Sequence, residues 1–189
     1  IRDTSVTGVQ TCALPIYTVF GVILGTGVGA GIVIGKKIHK GKNKIAGEWG
    51  HNPLPWANEG ELPGKKCYCG RTGCLETFIS GPAIEREFNN LHGKNLNMKN
   101  IVKESGAGNF KAEQTIRNFE DRLARALAHV INILDPDSIV LGGGLSNIDR
   151  LYSNVPKIWA EYIFSDDVST VLSKARFGDS SGVRGAAWL

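Results

Sequence analysis

The sequence predicts a mixed α/β domain with at least one crossover connection, and three observations carry that prediction. Two apolar runs, residues 17–24 and 30–35, flank Gly25-Thr26-Gly27-Val28-Gly29, the pattern of a β-hairpin with a tight glycine turn. Residues 111–134 then present Ile116, Phe119, Leu123, Leu127, Val130, Ile131 and Leu134 as one stripe at helical spacing. Residues 138–141 (SIVL) read as a short buried strand that runs into Gly142-Gly143-Gly144, so hairpin, helical layer and later strand share one core.

Taken in order, residues 36–64 read as loop, with Gly, Pro and Asn spread throughout but with Trp49 and Trp56 among them. Ser80-Gly81-Pro82 opens a helix to about Leu91, with Pro82 in the first turn where its missing N–H is harmless. A short helix is expected over 98–104, and Asp135-Pro136-Asp137 ends the long one. A further helix is expected over 147–164, presenting Leu151, Val155, Ile158 and Trp159, then a strand over 168–177 and a small-residue helix over 182–189.

The 189 residues amount to about one domain, and 42% apolar content with 24 Gly argues against disorder. The longest apolar stretch, residues 16–24, is far short of the ~20 residues a membrane helix needs, so no membrane partner is expected. Formal charge is +4, and the window from Lys36 to Lys66, with 7 Lys and 3 Glu, accounts for all of it. A domain-wide basic face for nucleic acid is therefore absent, which leaves room for a local anion site. Four cysteines are too few for a disulfide scaffold in a chain of this length, which fits a reducing, cytoplasmic location.

Three of those cysteines are crowded as Cys67-x-Cys69-x4-Cys74, with His51 sixteen residues upstream of Cys67. Three thiolates and an imidazole satisfy tetrahedral Zn²⁺, and a closed four-ligand shell is structural rather than catalytic. Unligated loop thiols are the bland alternative, and His92 and His129 are rival ligands by composition; His129, inside the long helix, reads as a packing or cap-side group. Glu48 and Glu76 stand within three residues of a candidate ligand. Either they are solvated surface acids, or the metal pins them as acceptors for a polyhydroxyl molecule, with His51 beside them.

The glycine turns are the third candidate. Gly25, Gly27 and Gly29 leave backbone N–H groups for phosphate oxygens and Thr26 adds a hydroxyl, although no Lys follows as in a Walker A loop and no helix follows as in a dinucleotide fold. Gly142, Gly143 and Gly144 follow a strand and precede an expected helix, where a nucleotide could meet bare backbone. Plain tight turns are the alternative for both.

Together these residues resemble the ROK family of ATP-dependent sugar kinases, and within it the bacterial fructokinases, through VILGTGVGAGIVIG, GKNKIAGEWGHNPLPW, CYCGRTGCLETFISG, LAHVINILDPDSIVLGGGLSN and GDSSGVRGAAWL. The resemblance covers residues 17–189 and implies an actin-like fold of two ribonuclease-H-type lobes around a cleft, of which this chain supplies mainly the C-terminal one, with a zinc-binding insert at 48–76. By position it implies that Gly25, Thr26, Gly27 and Gly29 lie near the ATP phosphates and Gly142, Gly143 and Gly144 on the adenosine side. It further implies that Glu48, His51 and Glu76 bind sugar hydroxyls, and that His51, Cys67, Cys69 and Cys74 hold zinc.

The implied activity is phosphorylation of a hexose, fructose to fructose 6-phosphate, from ATP with Mg²⁺, in a protein that is a homodimer when intact. Asn52-Pro53-Leu54-Pro55-Trp56 is what favours fructose. N-acetylglucosamine or glucose kinase is the alternative enzyme, and a sugar-responsive repressor of the same fold is the alternative of another class. The family's first phosphate loop (D-x-G-G-T type) and its N-D motif, whose Asp is the general base, have no counterpart here; Asp3 is the only acid before Glu48. No catalytic residue is therefore assigned, and the chain alone is expected to be inactive, as the C-terminal part of a longer protein. Residues 5–16, SVTGVQTCALPI, resemble translated sequencing-adapter read-through, so residues 1–16 are expected to be non-native and Cys12 to carry no role.

Overall fold

A computed structural model describes residues 16–176. β1 (Thr18–Leu24) and β2 (Val28–Ile34) form the expected hairpin, with Leu24 paired to Val28. The turn is thus three residues, Gly25 to Gly27, rather than five, because Val28 and Gly29 are already in the ladder. A two-residue β3 (Lys37–Ile38) adds to β2 inside the segment expected to be loop, which also holds a 3-10 turn over Glu59–Glu61.

The helices follow: α1 (Glu76–Ile79), α2 (Gly81–His92), α3 (Met98–Gly106) and α4 (Phe110–Leu134). Their boundaries have local causes. Gly93 closes α2 in the left-handed region, and Asn97 caps α3 by accepting the Asn100 N–H at 3.0 Å. Asn109 caps α4 by accepting the N–H groups of Lys111 and Ala112, and Asp135 at φ 45° ends it ahead of Pro136.

β4 (Ser138–Gly142) pairs parallel with β1, and β5 (Val171–Lys174) parallel with β4, giving the sheet order β3-β2-β1-β4-β5. Between them the single helix expected over 147–164 is broken. Gly144–Asn147 is a 3-10 turn, Ile148 is extended with its side chain buried, and α5 (Leu151–Trp159) is the only α-helix there. The strand expected over 168–177 is shortened to four residues, and the helix expected over 182–189 lies outside the described residues.

Phe20, Val22 and Leu24 of β1, Ile139 and Leu141 of β4, and the α4 stripe belong to one buried cluster that also takes in Val155 and Trp159 of α5. Leu134, expected on that stripe, packs at its edge partly buried. Alternation on β1 and a helical period on α4 converge on this one core, as layered α/β packing requires.

The parallel register sets Ile23 opposite Gly142, so the chain leaves β1 and β4 at the same end of the sheet. Gly143, at φ 83°, lies so close to β1 that a Cβ there would strike the Leu24 carbonyl. Gly143→Ala combines that clash with a backbone conformation L residues rarely adopt, and is expected to destabilise the fold by about 2–3 kcal/mol. Urea unfolding checks this; an unchanged midpoint would mean that the two strand ends separate freely.

Candidate functional site

The sheet brings the two glycine clusters together. The Gly25–Gly27 turn follows β1 and the Gly142–Gly144 turn follows its parallel neighbour β4, which is the edge of an α/β sheet where ligands meet free backbone. Within the first turn the Gly25 N–H donates to the Gly27 carbonyl at 3.0 Å, and the Gly25 carbonyl accepts the Gly81 N–H at 2.9 Å. Thr26 is exposed at its tip. Gly144 opens a four-residue 3-10 turn, so the helix N-terminus expected behind the second cluster is not there. Any phosphate contact at that turn therefore depends on single backbone N–H groups.

The 47–76 segment is folded onto the same hairpin. Gly47 accepts the Ala30 N–H at 3.1 Å, and Gly47 and Gly50 both touch the β2 backbone so closely that a Cβ at either would strike a main-chain carbonyl. Trp49 is buried edge-on to Phe20, their ring centroids 5.7 Å apart. The segment then doubles back on itself. Pro53 bridges Cys74, Lys66 bridges Thr72, and the N–H groups of Leu75 and Glu76 reach the carbonyls of Asn52 and Gly50 at 2.8 and 2.9 Å.

That fold gathers the predicted ligands. The donor atoms of His51, Cys67, Cys69 and Cys74 lie within 4.8 Å of one another, a cluster that could hold a metal ion. His51 Nδ1 is 3.5 Å from Cys67 Sγ, and Cys69 Sγ is 3.6 Å from Cys74 Sγ. Cys67 and Cys74 are buried while Cys69 is exposed. Burial raises the Cys74 thiol pKa, with the Cys69 and Cys67 sulfurs adding to the effect, whereas the Arg71 backbone N–H holds Cys69 below its ordinary range. A cation at the centre reverses the first effect by favouring the thiolate. The rival histidines are elsewhere: His92 packs edge-on to Phe88, and His129 is exposed beside Trp56 rather than packed or capping.

Glu48 is exposed one position ahead of the buried Trp49. Glu76 is half-buried, and its Oε2 accepts the Val28 N–H at 2.8 Å. A Cβ on Gly27 would stand 2.8 Å from that same oxygen. Glu76 therefore joins the metal-ligand segment to the glycine turn, and one of its oxygens is already engaged there. Sequence reasoning missed this link, and it also missed Tyr68, whose hydroxyl lies 2.9 Å from His51 Nε2. Local desolvation, with the charges of Glu76, Cys67, Cys69 and Glu48, raises the Tyr68 phenol pKa.

The ROK family model matches residues 9–189, beginning ahead of the resemblance expected from residue 17. The chain belongs to the ROK family. It is 39% identical over 176 residues to an N-acetyl-D-glucosamine kinase of Yersinia pseudotuberculosis, covering 91% of this chain and 58% of that relative. The chain thus spans well under two thirds of the curated relatives it matches. Among solved structures, a ROK family glucokinase from Streptomyces griseus in complex with glucose and AMPPNP is similar at TM-score 0.79 and 26% identity, covering 92% of this chain and 60% of that one. A ROK family transcriptional regulator, a homologue of the E. coli MLC protein, is similar at TM-score 0.76 and 26% identity, covering 91% of this chain and 45% of that one. The α/β fold is therefore that of ROK sugar kinases, as expected.

The fructokinase expectation is corrected by these likenesses, which run to N-acetylglucosamine kinases and a glucokinase. The structure shows why Asn52-Pro53-Leu54-Pro55-Trp56 is a poor guide to the sugar. Leu54 is buried in the core, the Asn52 carbonyl braces Leu75, and the carbonyls of Pro55 and Trp56 accept Arg125 of α4 at 3.2 and 2.8 Å. That stretch anchors the segment to α4. A shallow cavity of about 210 Å³ over this anchor, lined by Asn58, Gly60, Glu61, Asn118, Asp121 and Arg122, shares no residue with the glycine turns or the ligand cluster. Among the described residues no helix is long and apolar enough to cross a membrane.

Proposed function

We propose that this chain is the larger part of an ATP-dependent sugar kinase acting on N-acetyl-D-glucosamine or glucose. The observation that carries the reading is the contact between Glu76 and Val28, which sets the Glu48–His51–Glu76 group against the glycine turn of β1 and β2. Zn²⁺ fits the ligand cluster. Sulfur at ~2.3 Å and nitrogen at ~2.0–2.1 Å from a tetrahedral ion give edges of about 3.8 Å between sulfurs and about 3.6 Å between sulfur and nitrogen. The 3.6 and 3.5 Å separations here are close to those edges.

Such an ion closes the segment and aims its neighbours. Glu48, the free oxygen of Glu76 and His51 then serve as hydrogen-bond partners for sugar hydroxyls. With the N–H groups of Gly25 and Val28 taken by Gly27 and Glu76 and Gly29 in the ladder, the tip of the turn, Thr26 and Gly27, is left to meet the phosphates. Gly142, Gly143 and Gly144 give the adenosine side its close backbone approach. ATP with Mg²⁺, when bound, supplies the phosphoryl group for transfer. The 189 residues contain no Asn-Asp pair to act as the family's base, so turnover needs a lobe that this sequence does not include.

Coupled ADP-release assays test this on two proteins: the chain itself, expected to be inactive, and the chain joined to the N-terminal lobe of a ROK kinase. The joined protein is expected to phosphorylate N-acetyl-D-glucosamine or glucose. Turnover by the isolated chain, or none by a folded chimera with either sugar, would overturn the reading. The latter result would favour the regulator, which shares this lobe at similar TM-score. In the active chimera, Glu48→Gln is expected to weaken sugar use by about 1.5–3 kcal/mol in kcat/KM, with nucleotide affinity and zinc content unchanged. Parent-like sugar kinetics would return Glu48 to the ordinary surface acids.

A further inference from the structure

Tyr68 lies between two metal-ligand candidates, yet nothing above gives it a role. Its ring is 83% exposed, so no packing explains where it stands. Its hydroxyl is nevertheless 2.9 Å from His51 Nε2, and the two rings meet edge to face, 85° apart with centroids separated by 5.0 Å. The other ring nitrogen, Nδ1, faces Cys67 Sγ. An imidazole that gives Nδ1 to a cation carries its proton on Nε2, and that N–H must donate to something. With a metal on Nδ1, the phenol oxygen of Tyr68, 2.9 Å away, would be that acceptor.

The same N–H is the one His51 would offer a sugar oxygen, and one N–H serves one acceptor well. Tyr68 touches His51, one of the three proposed sugar partners, through both its hydroxyl and its ring edge, so it stands against the sugar subsite. We propose that Tyr68 is a latch on that subsite: its hydroxyl occupies the His51 Nε2–H when no sugar is bound, and the exposed ring swings aside when a sugar oxygen takes the bond. This rests on the sugar-binding reading of His51. Tyr68 is then a positioning residue that fixes the imidazole tautomer in the empty site and weakens sugar binding by the strength of the bond that must be broken.

The test is Tyr68→Phe in the zinc-loaded 189-residue chain, followed by ¹H–¹⁵N NMR of its histidine side chains during titration with N-acetyl-D-glucosamine and with glucose. In the parent chain the His51 Nε2 proton is expected to be protected from exchange before sugar is added. In Tyr68→Phe it is expected to exchange freely until sugar is added, with zinc content equal in both. Sugar affinity is expected to rise roughly three- to tenfold in Tyr68→Phe, about the worth of one net hydrogen bond. A merely structural tyrosine would leave affinity unchanged or lower it, and either result overturns the latch, as does equal exchange of the Nε2 proton in both proteins. Protection in the parent alone, with neither protein binding either sugar, has a different signature: it overturns the latch, which needs a competing sugar on this chain, while the kinase reading stands or falls on the chimera.

Discussion

Replacing Glu61 by Leu is expected to destabilise the protein by about 3–5 kcal/mol, because it strips two buried guanidinium groups of their shared carboxylate. The Glu61 side chain is 5% exposed and that of Arg125 is 3% exposed, and they meet through two bonds of 2.9 Å each. Arg122 donates to the same carboxylate at 2.8 Å while its other nitrogens grip Glu87 at 2.8 and 3.0 Å. Arg125 continues to Asp121 and to the carbonyls of Pro55 and Trp56. Removing Glu61 leaves each cation one carboxylate, Glu87 for Arg122 and the more exposed Asp121 for Arg125, but the buried Arg125 fork loses both of its bonds to Glu61, a far larger penalty than losing a surface pair. Glu61→Leu combined with Arg125→Met is expected to recover part of the loss, since the buried charge goes with its partner.

The same carboxylate gives the protein a particular acid sensitivity. Burial opposes its ionisation, but hydrogen bonds from Arg125, Arg122 and the Asn58 N–H outweigh that and hold its pKa at about 2, against 4.5 for an ordinary Glu. A folded pKa below the unfolded one means stabilisation that is complete above about pH 5 and is lost as pH falls towards 2. Arg150, Arg117 and Ser105 lower the pKa of Glu113 as well, so the parent protein has more than one group titrating in this window. Urea midpoints at pH 7, 4 and 3 on parent and Glu61→Leu separate them: the parent should lose more stability over that range. Parallel declines would show that Glu61 is not the sensitive group.

These ion pairs also mark where sequence reading stops. The long helix α4 is legible because its stripe, its Asn109 cap and the Asp135-Pro136 stop are local signals that agree. The hairpin and β4 are legible for the same reason, and so is the cysteine–histidine cluster, whose spacing restricts it to one loop. What the sequence hides depends on distant partners. Glu61 and Arg125 are 64 positions apart, and Val28 and Glu76 are 48 apart, so no periodicity relates them. Tyr68 looks like any loop aromatic until the chain reversal between Cys67 and Arg71 turns it towards His51. The helix expected over 147–164 failed differently: its apolar spacing is real, but Ile148 buries itself in extended form and breaks the run. The sugar was misread for a related reason, since Asn52 to Trp56 is a distinctive string whose Leu54 side chain and whose Pro55 and Trp56 carbonyls anchor the segment.

Removing the metal is expected to have the broadest effect. Cys74 is buried, bridges Pro53, and lies two residues ahead of Glu76, so its side chain ends the segment that His51 begins. Without an ion, three sulfurs and an imidazole are held within 4.8 Å with nothing to neutralise thiolate charge, and burial keeps Cys74 protonated. Cys74→Ala is therefore expected to abolish stoichiometric zinc binding and to destabilise the protein by on the order of 5 kcal/mol, below the apparent ~10–16 kcal/mol of zinc-finger peptides because Leu54, Leu75 and Phe78 still anchor the segment to the core. The loss should reach both ligands. Glu76 holds the Val28 N–H, so a segment that slips takes with it the brace of the glycine turn as well as the sugar acceptors. Glu48→Gln, by contrast, should impair sugar binding alone. Elemental analysis, urea unfolding with and without chelator, and calorimetric titration with sugar and nucleotide separate the two variants. If Cys74→Ala keeps its zinc, or if chelation leaves stability and both affinities at parent values, the cluster is not what holds the site together.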